Sequence, residues 1–404
     1  MATAHLPPLK PEQAHPAGLH ERLVYLAPIA WQSVTQRPHE MVACFHRQTG
    51  GQVLWVDPYP TRLPNLDDVL GPPQAALPRV PVPPWLQVIK PLALPIEPLP
   101  LSAWLNRWLW QGAVRAVQAF ARQPALLVVG KPSHLALQLM ACPLLSDNCY
   151  DAMDDVSLFY KGWSRWAMAR REQQTVLAAR RVWCSSSALM QRVQQLGATP
   201  QWVANACAAE RLLAPSRSAR AAGTAPLIGY VGAIAKWFDW SLVIALAQAR
   251  PDACVRLIGP VFGQVPASLP ANIHLRPQCS HTDAMRAMRD FDVGLIPFKI
   301  DTLTESVDPI KYYEYRALGI PVISSAFGEM RQHAKADGVF LADPAQPLGP
   351  TLARALGYRE PLASVQRFRA ANAWSTRFAQ ARLFVRAPAT ADACVPRPAS
   401  LDTV

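Results

Sequence analysis

The stretch DPIKYYEYRALGIPVISS, residues 308–325, sets Lys311 and Glu314 three residues apart, just ahead of an apolar strand. Asp308 is a good helix N-cap and Pro309 suits the first helical position. Lys311 then falls at the third position, near the positive end of the helix dipole. A cation there costs about 0.3–1 kcal/mol unless an anion compensates. The same helix end presents backbone N–H groups without acceptors. A diphosphate would satisfy the lysine and the N–H groups together. Glu314 lies one turn along, and its carboxylate suits two ribose hydroxyls. The competing account is a solvated Lys–Glu pair at i,i+3, in the less favourable order.

Other candidates sit where strands end. GAIAKWF, residues 232–238, follows a strand. Gly232 lets a ligand approach the backbone, and Lys236 could neutralise a second phosphate. The alternative is an ordinary loop. Pro297 and Phe298 end a later strand and could wall a base, or simply pack. Arg37 and His39 lie just past another strand end. His39 could act as a general base or donate a hydrogen bond to a leaving phosphate; a structural histidine is the alternative. Asp154 and Asp155 follow a strand too. Adjacent side chains diverge, so one at most faces a cleft.

These positions need strands and helices to hold them. LVYLAPIA (23–30) and QVLWVDPY (52–59) read as buried strands around a helical segment that stops at a glycine. Ten prolines between 72 and 100 exclude regular helix or central strand there, with QVIKPLALP as an edge-strand candidate. Residues 101–123 read as one amphipathic helix, ALLVVG as a strand, and 175–197 as helix, strand and helix. After a small, polar stretch at 208–226, LIGYVG, CVRLIGP, IHLRP, VGLIPF, PVISS and VFLAD alternate with helical segments. The pattern is β-α-β with parallel sheets. The expected organisation is an N-terminal domain over 1–207, a linker over 208–226 and a second domain over 227–374. Residues 375–390 are a candidate for crossing back, and 387–404 for a disordered tail.

The chain of 404 residues is half hydrophobic and carries a net charge of +12. The first 222 residues hold 21 basic and 13 acidic side chains. That balance fits an anionic partner, or an arginine-rich composition without partner meaning. No apolar run reaches the roughly 18–20 residues of a membrane span. The N-terminus lacks the pattern of a secretory signal, so a cytoplasmic location is expected. Eight cysteines form no CxxC pair and no zinc spacing, so no metal is expected. No nucleic-acid module is recognisable, and nucleic acid is not an expected partner. Trp104, Trp108, Leu101 and Leu105 share overlapping helix faces near Arg107 and Arg115. Trp163 and Trp166 stand among Lys161, Arg165, Arg170 and Arg171. Either the tryptophans pack into the core, or they meet the anionic face of a membrane.

Several motifs carry a resemblance. IGYVGAIAKWFDW with RLIGPV, FDVGLIPFK, and DPIKYYEYRALGIPVISS resemble the nucleotide-sugar domain of the group 1 glycosyltransferases. WQSVTQRPHEM and YDAMDD are similar to a bacterial exopolysaccharide and teichuronic-acid-type subgroup. The match covers roughly residues 23–380. It implies a GT-B fold: two Rossmann-like, doubly wound α/β domains facing across a cleft. It implies transfer of a hexosyl group from a nucleoside-diphosphate sugar to a surface-polysaccharide or lipid-linked acceptor, with retention. No metal and no cofactor beyond the donor are implied. The implied donor site comprises Gly232, Lys236, Pro297, Phe298, Ser306, Asp308, Ile310, Lys311 and Glu314. Lys311, Lys236 and His39 would be catalytic, and Trp31, Gln36, Arg37, His39 and Asp154 would face the acceptor. The sequence departs from the pattern in three places. Ser306 stands where the first of two glutamates is usual, Asn205-Ala206 replaces Asn-Gly, and APIAWQ replaces a glycine-rich loop. A catalytically silent GT-B subunit and a GT-B nucleotide-sugar epimerase therefore stand as alternatives.

Overall fold

The computed structural model describes residues 18–33, 35–61, 81–99, 101–214, 224–343 and 345–386. In the first half, strands span Arg22–Leu26 (β1), Gln52–Val56 (β2), Leu86–Ile89 (β3), Ala125–Val129 (β4), Asn148–Ala152 (β5), Arg181–Cys184 (β6) and Gln201–Trp202 (β7). They form one sheet in the order β3-β2-β1-β4-β5-β6-β7, with every pairing parallel. The second half adds Leu227–Val231 (β8), Cys254–Ile258 (β9), Ile273–Arg276 (β10), Val293–Ile296 (β11), Val322–Ser325 (β12) and Val339–Ala342 (β13). These form a second parallel sheet, β10-β9-β8-β11-β12-β13. Each order reverses once, between β1 and β4 and between β8 and β11. Open α/β sheets bind ligands beyond the strand ends at such reversals.

The central strands are continuous apolar runs because parallel sheets are covered on both faces. Every residue of β4 and β8 is buried. The helices in the first half are Arg37–Thr49 (α1), Ser102–Leu109 (α2), Gln111–Phe120 (α3), His134–Met140 (α4), Gly162–Ala178 (α5) and Ser187–Gln195 (α6). The second half has Trp240–Ala249 (α7), His281–Arg289 (α8), Ile310–Ala317 (α9), Leu348–Gly357 (α10) and Leu362–Ala371 (α11), followed by Trp374–Gln380 (α12). Side-chain caps hold the starts of α4, α6, α7 and α8. Ser133 accepts from the Ala136 N–H, Ser186 from Leu189, and Asp239 from Ser241 and Leu242.

The expected single helix over 101–123 is two, α2 and α3, joined at Trp110. Trp110 turns inward, is buried and donates its indole N–H to Gln138 at 2.8 Å. Burial of that large ring, with its polar atom satisfied, breaks a periodicity that alone predicts a continuous helix. QVIKPLALP supplies the edge strand β3, and the prolines that follow lie past its end.

The chain passes between the halves twice, and the two crossings pair. Cys207 N–H donates to the Asn372 carbonyl at 2.9 Å, and Trp374 N–H to the Cys207 carbonyl at 3.1 Å. Beyond this bridge, Trp374, Phe378, Leu383 and Phe384 join the core on one face of the first sheet. His20 N–H donates to Phe384 and Arg386 N–H to Gly18. Of the stretch between the halves, residues 215–223 lie outside the described residues, as do 387–404. The seven cysteines within the described residues are free thiols.

Candidate functional site

A cleft of about 300 Å³ opens where the two halves meet. Asp154 and Phe159 line it from the first half, just past β5. From the second come Gly232 and Trp237 after β8, Phe298 after β11, and Thr304, Val307 and Lys311 around the start of α9. Three strand-to-helix connections, after β5, β8 and β11, therefore converge, all at the C-terminal ends of parallel strands.

The β8 loop is built on close backbone contact. Gly232 has φ +159, and a Cβ there would stand 2.7 Å from the Tyr230 hydroxyl. Gly259, after β9, has φ +149, and its Cβ would lie 2.0 Å from the Gly232 carbonyl. Neither position admits a side chain, so bare backbone borders the cleft.

Lys311 is the second residue of α9, because the helix begins at Ile310 with Pro309 as its N-cap. The expected start lay one residue earlier. Lys311 Nζ donates to Glu314, so the cation at the helix start has an anionic partner one turn along. Glu314 is buried and reaches the cleft through that lysine. The pair forms as a partly buried one, not a solvated one, and its lysine lines the cleft.

Asp308 is occupied elsewhere. Its carboxylate accepts the Asn205 N–H at 2.7 Å and the Tyr313 hydroxyl at 3.1 Å, while Asn205 Nδ2 donates to the Asp308 carbonyl at 2.6 Å. Asp308 thus joins the two halves instead of capping α9 or lining the cleft. Arg37 stands on the same junction. It is 2% exposed and makes a two-pronged pair with Asp151, 1% exposed, at 2.7 and 3.2 Å. It also donates to the Val203 carbonyl at 2.6 Å and to Asn205 Oδ1 at 3.2 Å. Burial opposes its charge, and Asp151 overcomes this, holding the guanidinium above its ordinary range. Two further ties cross between the halves. Ser187 donates its N–H and hydroxyl to Glu329 at 2.6 Å, at the start of α6, and Asp155 N–H donates to Ser306 Oγ at 3.4 Å.

Burial drives the Asp308 carboxyl up to about 7 against the hydrogen bonds from Asn205 and Tyr313. An unfolded aspartate ionises near pH 4. Between roughly pH 4 and 7 the folded state therefore holds more protons, and stability falls as pH rises. Asp308→Asn is expected to flatten that slope. Between pH 4 and 7.5 the variant should gain on the native chain by up to about 4 kcal/mol in urea unfolding. Parallel stability curves would show that the carboxyl ionises normally in the fold.

His39 does not reach the cleft. Its Nδ1 accepts the Gln36 N–H at 3.3 Å and its Nε2 contacts the Trp31 carbonyl at 3.1 Å. The ring packs against Trp31 and Trp55 at 5.0 Å, and burial lowers its pKa. It secures the start of α1, where Gln36 is the exposed N-cap. Trp31 is buried in the same aromatic group, with its backbone N–H donated to Asp57. The geometry thus gives Trp31, Arg37 and His39 structural positions, and only Asp154 of the expected acceptor-side residues lines the cleft. Asp154 has its carboxyl pushed up to about 7 by burial. Lys236 is exposed and sits over the Phe159 ring at 5.4 Å, bridging the halves at the cleft rim. Pro297 is buried with its carbonyl bound by Asp239 N–H, and Ile310 packs against the first-half core. Ser306 is buried at the junction. Sequence reasoning gave no role to Asp151, Glu329, Phe159 or Trp237, and named Asn205 only as part of the Asn205-Ala206 departure. The signal for Asp151 was present, since it belongs to the quoted YDAMDD stretch. Among the described residues, no group of three or more His, Cys, Asp or Glu is placed to hold a metal ion.

No protein-family model matches the chain. A curated relative from Bacillus subtilis (strain 168), provisionally named teichuronic acid biosynthesis glycosyltransferase TuaH, is 27% identical over 118 residues. That stretch is 28% of this chain and 30% of the relative. Solved structures match nearly end to end. Sucrose-phosphate synthase from Thermosynechococcus elongatus has a TM-score of 0.63 at 16% identity, covering 90% of this chain and 98% of its own. The catalytic domain of starch synthase IV from Arabidopsis thaliana, bound to ADP and acarbose, has 0.60 at 11%, covering 91% and 99%. HepE of Anabaena, in complex with UDP and glucose, has 0.55 at 16%, covering 91% and 96%. The chain therefore has the GT-B fold, two parallel-sheet Rossmann-like α/β halves facing across a cleft.

Proposed function

We propose that this protein is a glycosyltransferase that moves a sugar from a nucleoside-diphosphate donor to a surface-polysaccharide or lipid-linked acceptor at a membrane surface. The observation that carries the reading is the cleft between the halves, where Lys311, bare backbone at Gly232 and the start of α9 converge. Cation and helix N–H groups together suit a diphosphate. As the glycosidic bond breaks, negative charge grows on the leaving phosphate, and a fixed lysine stabilises that charge more than the ground state. Trp237 and Phe298 offer apolar walls, and Glu314 a carboxylate for ribose hydroxyls. Asp154 lines the cleft from the other half, and in this reading it meets an acceptor hydroxyl. Retention at the anomeric carbon follows from the group 1 resemblance, and the anomer of the product is its test.

Screening nucleotide sugars by thermal shift identifies the donor. Acceptor-dependent release of nucleoside diphosphate then tests transfer. Release without acceptor, or none with any donor that binds, would defeat the reading. Glu314→Ala is expected to weaken donor binding by about 1.5–3 kcal/mol, the usual cost of losing hydrogen bonds to a charged group. Unchanged affinity by calorimetry would remove Glu314 from the donor site.

One observation favours a second reading, a silent subunit that binds and organises a polysaccharide complex. Ser306 occupies the place of a glutamate in the resembling family, and its hydroxyl is engaged by Asp155. Neighbouring Glu305 pairs with Arg331 instead of taking that place. Donor binding without turnover in every acceptor mixture would select this reading.

A further inference from the structure

The tryptophans of two first-half segments stand in solvent. Trp104 and Trp108 of α2 are 71% and 74% exposed, and Trp163 and Trp166 of α5 are 73% and 57% exposed. Leu101 and Leu105 beside them are exposed as well. A core-packing role for these rings, one of the two sequence expectations, is thereby excluded.

The helices that carry the two tryptophan pairs are linked through segment 94–98. Ser102 of α2 donates to the Glu97 carbonyl at 2.9 Å, and the Asn106 side chain brackets the backbone of Leu94 at 2.7 and 3.1 Å. The Glu97 carboxylate in turn lies 3.9 Å from Arg171 of α5. Segment 94–98 therefore binds α2 to α5, and its own Leu94 is exposed.

Charge on this surface has one sign. Residues 101–123 and 159–171 contain seven Lys and Arg and no Asp or Glu. Arg107, Lys161, Arg165 and Arg170 are exposed, and none pairs with an acid among the described residues. Arg170 instead lies over the Trp166 ring at 5.6 Å. No helix among the described residues is long and apolar enough to cross a membrane.

We infer that this surface docks the protein onto an anionic lipid bilayer. Tryptophan, apolar at one end and polar at the other, suits the headgroup level, and unpaired cations suit anionic lipid. A second copy of the chain fits poorly, because an isologous contact sets cations against cations. Phe159, which opens the second segment, also lines the cleft, so the docking surface adjoins the cleft mouth. A lipid-linked acceptor held at the interface would thus meet the cleft; that last step rests on the transferase reading, whereas the docking does not.

The test is co-sedimentation of the full chain with phosphatidylcholine vesicles, with and without phosphatidylglycerol, and with no sugar donor present. Binding should require the anionic lipid and fall with added salt. Trp104→Ser/Trp108→Ser and Arg107→Glu/Arg165→Glu should each weaken it about tenfold or more, with unchanged melting temperature because these side chains are exposed. Equal recovery in the supernatant with neutral and anionic vesicles at low salt would overturn the inference. So would variants that bind as the native chain does, or self-association abolished by the tryptophan changes in a chain that ignores vesicles. A chain that binds vesicles yet transfers no sugar would leave the docking standing and reject the transferase.

Discussion

Lys311→Met is expected to lower single-turnover transfer at saturating donor by about 10²- to 10³-fold, the usual effect of removing one preorganised group from a developing oxyanion. Lys311 lines the cleft from the second position of α9, with its ammonium held by Glu314. Methionine keeps the side-chain length and removes the charge. Lys311→Glu should be worse, since another negative charge would then face the diphosphate. Lys236→Met should have the smaller effect, because that ammonium is exposed over Phe159 and not among the cleft-lining side chains. Wild-type transfer by Lys311→Met would place the phosphate elsewhere and defeat the site assignment.

Arg37→Met is expected to destabilise the first half by about 3–5 kcal/mol, because the Asp151 carboxyl would be left buried without its partner. Nearly all of both side chains is inaccessible, and Arg37 also holds the Val203 carbonyl and Asn205. Chemical unfolding followed by tryptophan fluorescence reports it, since Trp183 and Trp374 are buried in the same half. The double change Arg37→Met/Asp151→Asn should recover part of the loss, as both charges are then gone. Loss of Arg37 also frees Oδ1 of the Asn205 side chain whose Nδ2 holds the Asp308 carbonyl, so the junction between the halves loosens. A variant as stable as the native chain would show that the pair contributes nothing net.

Much of this architecture was legible in the residues themselves. Strand and helix alternation is a local property: continuous apolar runs ending in glycine, 3.6-residue periodicity and capping serines all lie within a few residues of one another. LIGYVG, CVRLIGP and VGLIPF thus show their strands directly. The glycine and lysine of the candidate donor site are equally local, because they follow strand ends or begin a helix. Parallel pairing then puts those ends on one side of the sheet.

What remained hidden was partnership across long distances. Arg37 finds Asp151, Asn205 finds Asp308, and Ser187 finds Glu329, separated by 114, 103 and 142 residues. No periodicity encodes such pairs: the first depends on the strand order within one sheet, and the other two on how two complete sheets settle against each other. His39 had the right type and the right strand end for catalysis, yet the packing of Trp31 and Trp55 closed over it. The tryptophans of α2 and α5 show the opposite outcome. An apolar helix face has the same spacing whether it meets protein or another apolar phase, so sequence alone determined that such a face exists. Only the tertiary structure decided that nothing in the described chain covers it.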